Sequence, residues 1–374
     1  MQKKRSTDVL VIGGGAIGCA IADFLRKMQR DVTLLERGEI GGEASGAAAG
    51  LLAPLGPLSG PGPFADLVLA GFSTLTSLLP ELEESSGIRV GYEQTGALRI
   101  IRNTTRIVHL QKRMASWEPL GLQLHWLSGE EVRQREPLLT ADTCAAIYAP
   151  EESQIQASAV VQAFAGAAAR AGAKIYSHQE VNRLTLEGTR VTGVHTTRGE
   201  SFTCNTLIIA SGAWAAQCAA WLQTDLPIQP LHGQIISLPQ TSPPLTHLIF
   251  GEAAYLIPRG NSILVGATKE ERGFDQTVTE PGTSWLATTA ARLAPALAGS
   301  KVQAAWAGLR PRTPDSHPIL GSLPPWENVL LAAGHNSVGI ILSAITGHCI
   351  AEMLTTGSPP ALIQPFSFER FSSL

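Results

Sequence analysis

The chain has 374 residues, enough for one large domain or two with substantial cores, and its formal net charge of −3 gives no pull toward nucleic acid or an anionic membrane. Cys19, Cys144, Cys204, Cys218 and Cys349 are scattered without a CxxC pair. That spacing excludes a disulfide framework and a cysteine metal site, and it reads as buried free thiols in a reducing, cytoplasmic setting. Residues 1–5 are polar and basic with no signal-peptide apolar core, and the alanine-rich stretches at 44–53 and 157–173 are too interrupted to span a membrane.

Residues 8–36 carry the strongest signal. An apolar run leads into glycines at 13, 15 and 18, then a helix-patterned stretch, a second apolar run and Glu36. This is the strand–turn–helix–strand unit that binds dinucleotides. Gly13 permits the tight turn, Gly15 lets backbone approach a pyrophosphate, and Gly18 lets the helix pack closely. The helix N-terminus offers N–H groups to phosphate. Glu36, 21 residues after Gly15, stands where a carboxylate can take ribose hydroxyls.

The small-residue segment GGEASGAAAGLLAP (41–54) follows. It reads as a second cofactor contact, with Ser45 as a candidate N-cap and Ala49 and Gly50 against a flat ring. Residues 55–63 read as a surface loop and 64–86 as a helix. Strand-like runs at 88–101 and 122–127 flank a charged helix, and Ser128 caps a helix over 128–137. Residues 158–171 predict a helix, and 173–181 with 190–199 predict two strands with a hairpin-like break. The run 205–214 predicts a buried strand ending at Ser211 and Gly212, a natural ligand position in an α/β sheet. Runs at 228–239, 246–250, 253–258 and 262–268 suggest an antiparallel sheet, 283–298 a helix, and 327–354 a final strand, glycine turn and helix.

These motifs, with IIASGAW, YLIPRGNSILVGAT, WAGLRPRTPD and LLAAGHNSVGIIL, resemble the FAD-dependent amine and amino-acid oxidases of the D-amino-acid oxidase superfamily, and within it the glycine oxidases, over nearly the whole chain. The implied fold is α/β: a Rossmann-like, glutathione-reductase-type FAD-binding domain with an inserted antiparallel β-sheet substrate domain. Residues 1–85, 145–220 and 300–374 would form the first, and 86–144 with 221–299 the second. The resemblance implies ADP contacts at Ala16, Ile17, Glu36 and Arg37. It implies pyrophosphate and flavin contacts at Ala44, Ser45, Ala49, Gly50 and Leu51, and an adenine contact at Val181. The turn of His335, Asn336, Ser337, Val338, Gly339, Ile340 and Ile341 would close over the flavin ring, with its amides near the edge where reduction builds negative charge.

Arg310 matches the family's carboxylate-binding arginine, and a guanidinium fork in the apolar setting WAGLRP suits that task. Tyr255 matches a substrate-pocket tyrosine. Three positions depart from the pattern. Ser337 stands where some glycine oxidases carry a second arginine, Ala253 where a histidine flanks the pocket, and Lys269 where a methionine is expected. A lysine at a strand end is usually solvent-facing; a buried one would attract superoxide-like charge or a second carboxylate. No cysteine precedes the TPD segment, so FAD is expected to be non-covalent. No metal is expected, because the histidines lack ligand spacing.

The implied reaction is oxidation of glycine, or another small amino acid or N-methyl amino acid, to the imine by hydride transfer to FAD. The products are a 2-oxo acid, ammonia or amine, and hydrogen peroxide from molecular oxygen. The imine could serve thiamine thiazole synthesis. Two alternatives stay open: a D-amino-acid or secondary-amine dehydrogenase with a non-oxygen acceptor, and a non-catalytic flavin-binding subunit. Homo-oligomerisation is open, and no nucleic acid or membrane partner is expected.

Overall fold

In the computed structural model residues 5–371 are described; the ends of the first and last cofactor segments, 1–4 and 372–374, lie outside the described residues. The opening apolar run becomes β1 (Arg5–Ile12), followed by α1 (Ala16–Lys27), β2 (Val32–Leu35), the short β3 (Leu51–Leu52) and α2 (Pro63–Ser86). Next come β4 (Ala97–Ile101), α3 (Ile107–Trp117), β5 (His125–Ser128), α4 (Gly129–Arg135), β6 (Ala145–Ala149), β7 (Ser153–Gln154) and α5 (Ala157–Arg170). Then follow β8 (Lys174–Tyr176), β9 (Val181–Glu187), β10 (Arg190–Thr196), β11 (Ser201–Ile209), α6 (Ala215–Ala220), β12 (Gln229–Pro239), β13 (Leu248–Phe250), β14 (Tyr255–Arg259) and β15 (Ser262–Gly266). The last elements are α7 (Glu280–Leu293), β16 (Ala304–Arg312), β17 (Ile319–Ser322), β18 (Val329–Ala333) and α8 (Ser343–Thr356).

The first sheet runs β17-β18-β11-β1-β2-β8, with the β9–β10 hairpin attached through β10 to β11. Its central pairs β18–β11, β11–β1, β1–β2 and β2–β8 are parallel. A parallel sheet is covered on both faces, so its strands read as continuous apolar runs. Alternation then divides them. Val9, Val11, Val32, Leu34 and Ile208 pack under α1, α2, α5 and α8. Leu10, Ile12, Leu35, Leu207 and Ile209 pack toward the hairpin and α6. Helix α2 is apolar and long enough, by composition alone, to cross a membrane; here Leu67, Val68, Leu75, Leu79 and Leu82 are buried against the helical layer.

The second sheet runs β16-β12-β15-β14-β13-β4-β6-β5 and is antiparallel except for the β13–β4 pair. One face is covered by α7 through Leu286, Ala290 and Leu293. The other carries Ile235, Ile257 and Leu264 against Ala49. The expected α/β fold with a second, largely antiparallel sheet is therefore present. Strands β6 and β16, counted with the cofactor segments by sequence, pair in the second sheet. We propose the same two-part division with those two strands on the substrate side.

Local expectations divide. The capping box at Ser128 forms: its hydroxyl accepts from Glu131 N at 3.3 Å, and the Glu131 carboxylate accepts from Ser128 N at 2.7 Å. The ladder expected from residue 88 begins only at Ala97, because Gly91 and Gly96 turn the chain at positive φ. The hairpin lies between β9 and β10 around Gly188, while β8 pairs with β2 instead. Of the five cysteines, four are buried and Cys144 is half-buried.

Candidate active site

A cleft of about 730 Å³ opens at the carboxyl ends of β1, β2, β11 and β18 and is roofed by the second sheet. Its size suits a cofactor and a small substrate. All of the cofactor residues expected from the sequence line it except Gly18, which lies behind the turn. Gly18 acts through packing: a Cβ there would come within 1.9 Å of the Gly13 carbonyl oxygen, so only glycine lets α1 sit this close to the turn. At Gly212 an added Cβ would meet nothing within 4 Å, so the β11 turn leaves room in the cleft for a ligand.

Glu36 directly follows β2, and its two carboxylate oxygens accept from Gly14 N at 2.7 Å and Gly38 N at 2.8 Å. The carboxylate is thus oriented by backbone, and its remaining lone pairs could take ribose hydroxyls. Beside it the Arg37 guanidinium lies 3.8 Å from the Trp214 ring centroid and pairs with Glu43. Arg37, Trp214, Val181 and Gly212 line the same cleft as Glu36.

Segment 41–50 forms turns and no helix, so Ser45 does not cap its own segment. Its hydroxyl instead accepts from Ala16 N at 3.0 Å and so caps α1, whose own N-cap Gly15 has no side chain to do so. The segment is held from above by the second sheet. Trp306 Nε1 donates to Ala47 O at 3.0 Å, and Arg259 Nη2 donates to Ala49 O at 2.9 Å. Gly308 makes room for Ala47, whose Cβ lies 2.6 Å from where a Gly308 Cβ would be. Arg259, Trp306 and Trp214 were not singled out by sequence. Strand alternation offered a signal: Trp306, Gly308 and Arg310 share one face of β16, and Tyr255 and Arg259 one face of β14.

The turn from His335 to Ile341 follows β18 and closes the other end of the cleft. Asn336 N donates to Pro311 O at 2.9 Å, which ties the turn to β16. His335 is buried, with Nε2 3.1 Å from Thr346 Oγ1, and burial pushes its imidazole down to about 3. It is a buried, neutral histidine, and Ser337 is the exposed side chain of this turn.

Arg310 and Tyr255 lie together in the roof. The Arg310 side chain crosses β12 at Gly233, where a Cβ would fall 2.2 Å from Nη1, and it donates to Thr268 O at 3.1 Å. Among the described residues no carboxylate pairs with it. Burial pushes its pKa down, but a guanidinium starts so high that it stays charged at neutral pH. The Tyr255 ring packs over Gly266 and edge-on to Phe250 at 6.3 Å. Burial pushes its phenol up to about 12, so it remains a hydrogen-bond donor. Lys269 and Ala253 are exposed and line the same cleft. A charged fork beside a neutral donor is an arrangement that can grip and orient a carboxylate.

Known proteins resemble this chain over nearly its whole length. A family model described as FAD dependent oxidoreductase matches residues 8–353. A glycine oxidase of Geobacillus kaustophilus is 34% identical over 366 residues, covering 97% of this chain and 97% of that protein. A bifunctional protein ThiO/ThiG of Synechocystis sp. is 34% identical over 376 residues, covering 98% of this chain and 54% of that protein. The crystal structure of glycine oxidase from Geobacillus kaustophilus superposes with a TM-score of 0.92 at 33% identity, covering 98% of this chain and 99% of that one.

Proposed function

The chain belongs to the family of FAD-dependent oxidoreductases, and on that premise we propose that it oxidises glycine, or another small amino acid or N-methyl amino acid, to the imine. The observation that carries this reading is the unpaired, half-buried Arg310 guanidinium beside Tyr255 in the roof of the cofactor cleft. The glycine oxidases that match over nearly the full length support it.

When bound, FAD supplies the two-electron acceptor. The chain supplies position and field. Arg310 takes the substrate carboxylate in a two-point grip, Tyr255 donates to it from the side, and Ser337 offers one further hydrogen bond. This would hold the amine-bearing carbon in one orientation in the cleft that FAD would share, and orientation provides much of the rate. No side chain needs to act as a base at that carbon if the amine enters neutral. The roof strands and the 335–341 turn border the cleft. Water entering afterwards hydrolyses the imine to a 2-oxo acid and ammonia or amine.

Molecular oxygen is the proposed final acceptor, leaving as hydrogen peroxide, and the imine is a proposed feed for thiamine thiazole synthesis, as the likeness to the ThiO/ThiG protein suggests. FAD is proposed to be non-covalent and the protein cytoplasmic, with the apolar face of α2 spent on internal packing. The test is an anaerobic visible spectrum of the purified protein on adding glycine, sarcosine and D-alanine in turn. Bleaching of a flavin band by one of them is expected. A colourless protein that takes up no FAD would overturn the cofactor assignment, and a yellow protein that none of the three reduces would overturn the substrate assignment.

A further inference from the structure

The cleft that holds Arg310 carries a second cation. The Arg310 guanidinium bonds the carbonyl of Thr268, and the next residue is Lys269, which lines the same cleft. The backbone around Lys269 is fixed from both sides. Thr268 N donates to Gln234 O at 3.3 Å, Thr268 Oγ1 accepts from Gln234 N at 3.0 Å, and Glu270 exchanges two backbone hydrogen bonds with His232, each 3.0 Å. The nearby carboxylates are committed elsewhere: Glu270 to Gln234 Nε2 at 2.9 Å, Glu271 to Arg312 at 2.7 Å, and Glu252 to Arg106 at 2.8 Å. Among the described residues no carboxylate pairs with Lys269. Ser337 and Ala253, which also line the cleft, add neither charge nor bulk. Two cations on one cleft, half-buried Arg310 and exposed Lys269, neither paired with a carboxylate among the described residues, suit a ligand with two negative charges.

We propose that Lys269 is a specificity-determining residue that binds a second carboxylate, and that the favoured substrates are small dicarboxylic amines, of which iminodiacetate is the simplest. Arg310 holds the carboxylate next to the reacting carbon, and Lys269 holds the one beyond the nitrogen. The inference rests on the amine-oxidising reading above.

Sarcosine and iminodiacetate differ by one carboxylate on the N-substituent, so their kcat/KM ratio isolates the effect of Lys269. The ratio of iminodiacetate to sarcosine should fall about fivefold in Lys269→Met, the size expected of a partly solvated ion pair, and be retained in Lys269→Arg. A lysine acting on a step shared by both substrates would change both values alike and leave the ratio, which would overturn the proposal. A second readout needs no turnover. The oxidised holoenzyme is titrated with malonate and with acetate, each followed by the shift of the visible spectrum. Malonate should bind more tightly in the wild type and lose most of that advantage in Lys269→Met. Equal affinities in both proteins would overturn the role of Lys269. If neither glycine, sarcosine nor iminodiacetate reduces the flavin, the underlying reading fails, and the malonate titration still decides the residue.

Discussion

At Arg310, two glycines and one carbonyl do the positioning: Gly233 lets the side chain cross its strand, Gly266 seats Tyr255, and Thr268 O fixes one nitrogen. Replacing the fork by a point charge keeps the charge and loses the parallel pair of hydrogen bonds. Arg310→Lys should therefore lower kcat/KM for glycine by about a hundredfold, or ~2.7 kcal/mol, with flavin content unchanged. An unaltered kcat/KM would remove Arg310 from the site. His335 gives a pH prediction. Its imidazole stays neutral in the fold down to about 3, whereas in the unfolded chain it binds a proton near 6.5. Below 6.5 the unfolded state gains a proton that the folded state refuses. This contribution to stability is thus whole above 6.5 and is lost as the pH falls from 6.5 toward 3, by up to about 1.4 kcal/mol per pH unit. Between about pH 7.5 and 5.5 the unfolding free energy from urea titration should drop by about 1.4 kcal/mol more in the wild type than in His335→Gln. Equal drops in the two proteins would mean that His335 titrates normally.

The βαβ unit that opens the chain was legible because each of its parts is local: an apolar strand, glycines at 13, 15 and 18, a helix pattern, and an acid after the second strand. Its weakest point is the helix-to-turn contact. Gly18→Ala would press a methyl group against the Gly13 carbonyl, and backbone must yield. The expected result is a folded protein, by far-ultraviolet circular dichroism, with a several-fold lower ratio of flavin to protein absorbance; full flavin content would refute the packing argument. The cap on that same helix was not legible. Ser45 reaches Ala16 from 29 residues away, and nothing in a linear pattern links them. The face of β16 was half legible. Alternation alone puts Trp306 and Gly308 on the side of Arg310, but their partner Ala47 belongs to a turn whose path the sequence leaves undetermined. The misplaced hairpin has a similar cause: residues 173–181 have strand character, yet their edge is taken by β2, a choice made by tertiary pairing.

Between the two sheets, function depends on a joint that composition hardly announces. Fold class and cofactor type could be read from motifs, but the pairing of β6 and β16 with the second sheet could not, because a short apolar strand carries no label of its partner. The joint has a buried ion pair. Arg99 on β4 is 7% exposed and forks onto Glu152 at 2.5 and 2.8 Å. Glu152 also accepts from Leu55 N at 3.1 Å, beyond the small-residue segment, while Arg99 lies 4.7 Å from the ring centroid of Phe250, a cleft residue that packs against Tyr255. One pair thus ties the second sheet, the chain just past the small-residue segment and the Phe250 side of the cleft. Such a pair adds little net stability over an apolar replacement, but removing one charge strands the other in a dry site. Glu152→Gln should therefore cost about 3 kcal/mol of unfolding free energy, while Arg99→Met with Glu152→Leu should recover most of it. The two proteins should separate on function as well. If the pair also sets the spacing of the sheets, the double variant will be stable yet bind FAD more weakly, because nothing then draws Leu55 and Phe250 to one point. Native FAD affinity in a stable double variant would assign the pair to charge balance alone and leave the spacing to Arg259 and Trp306.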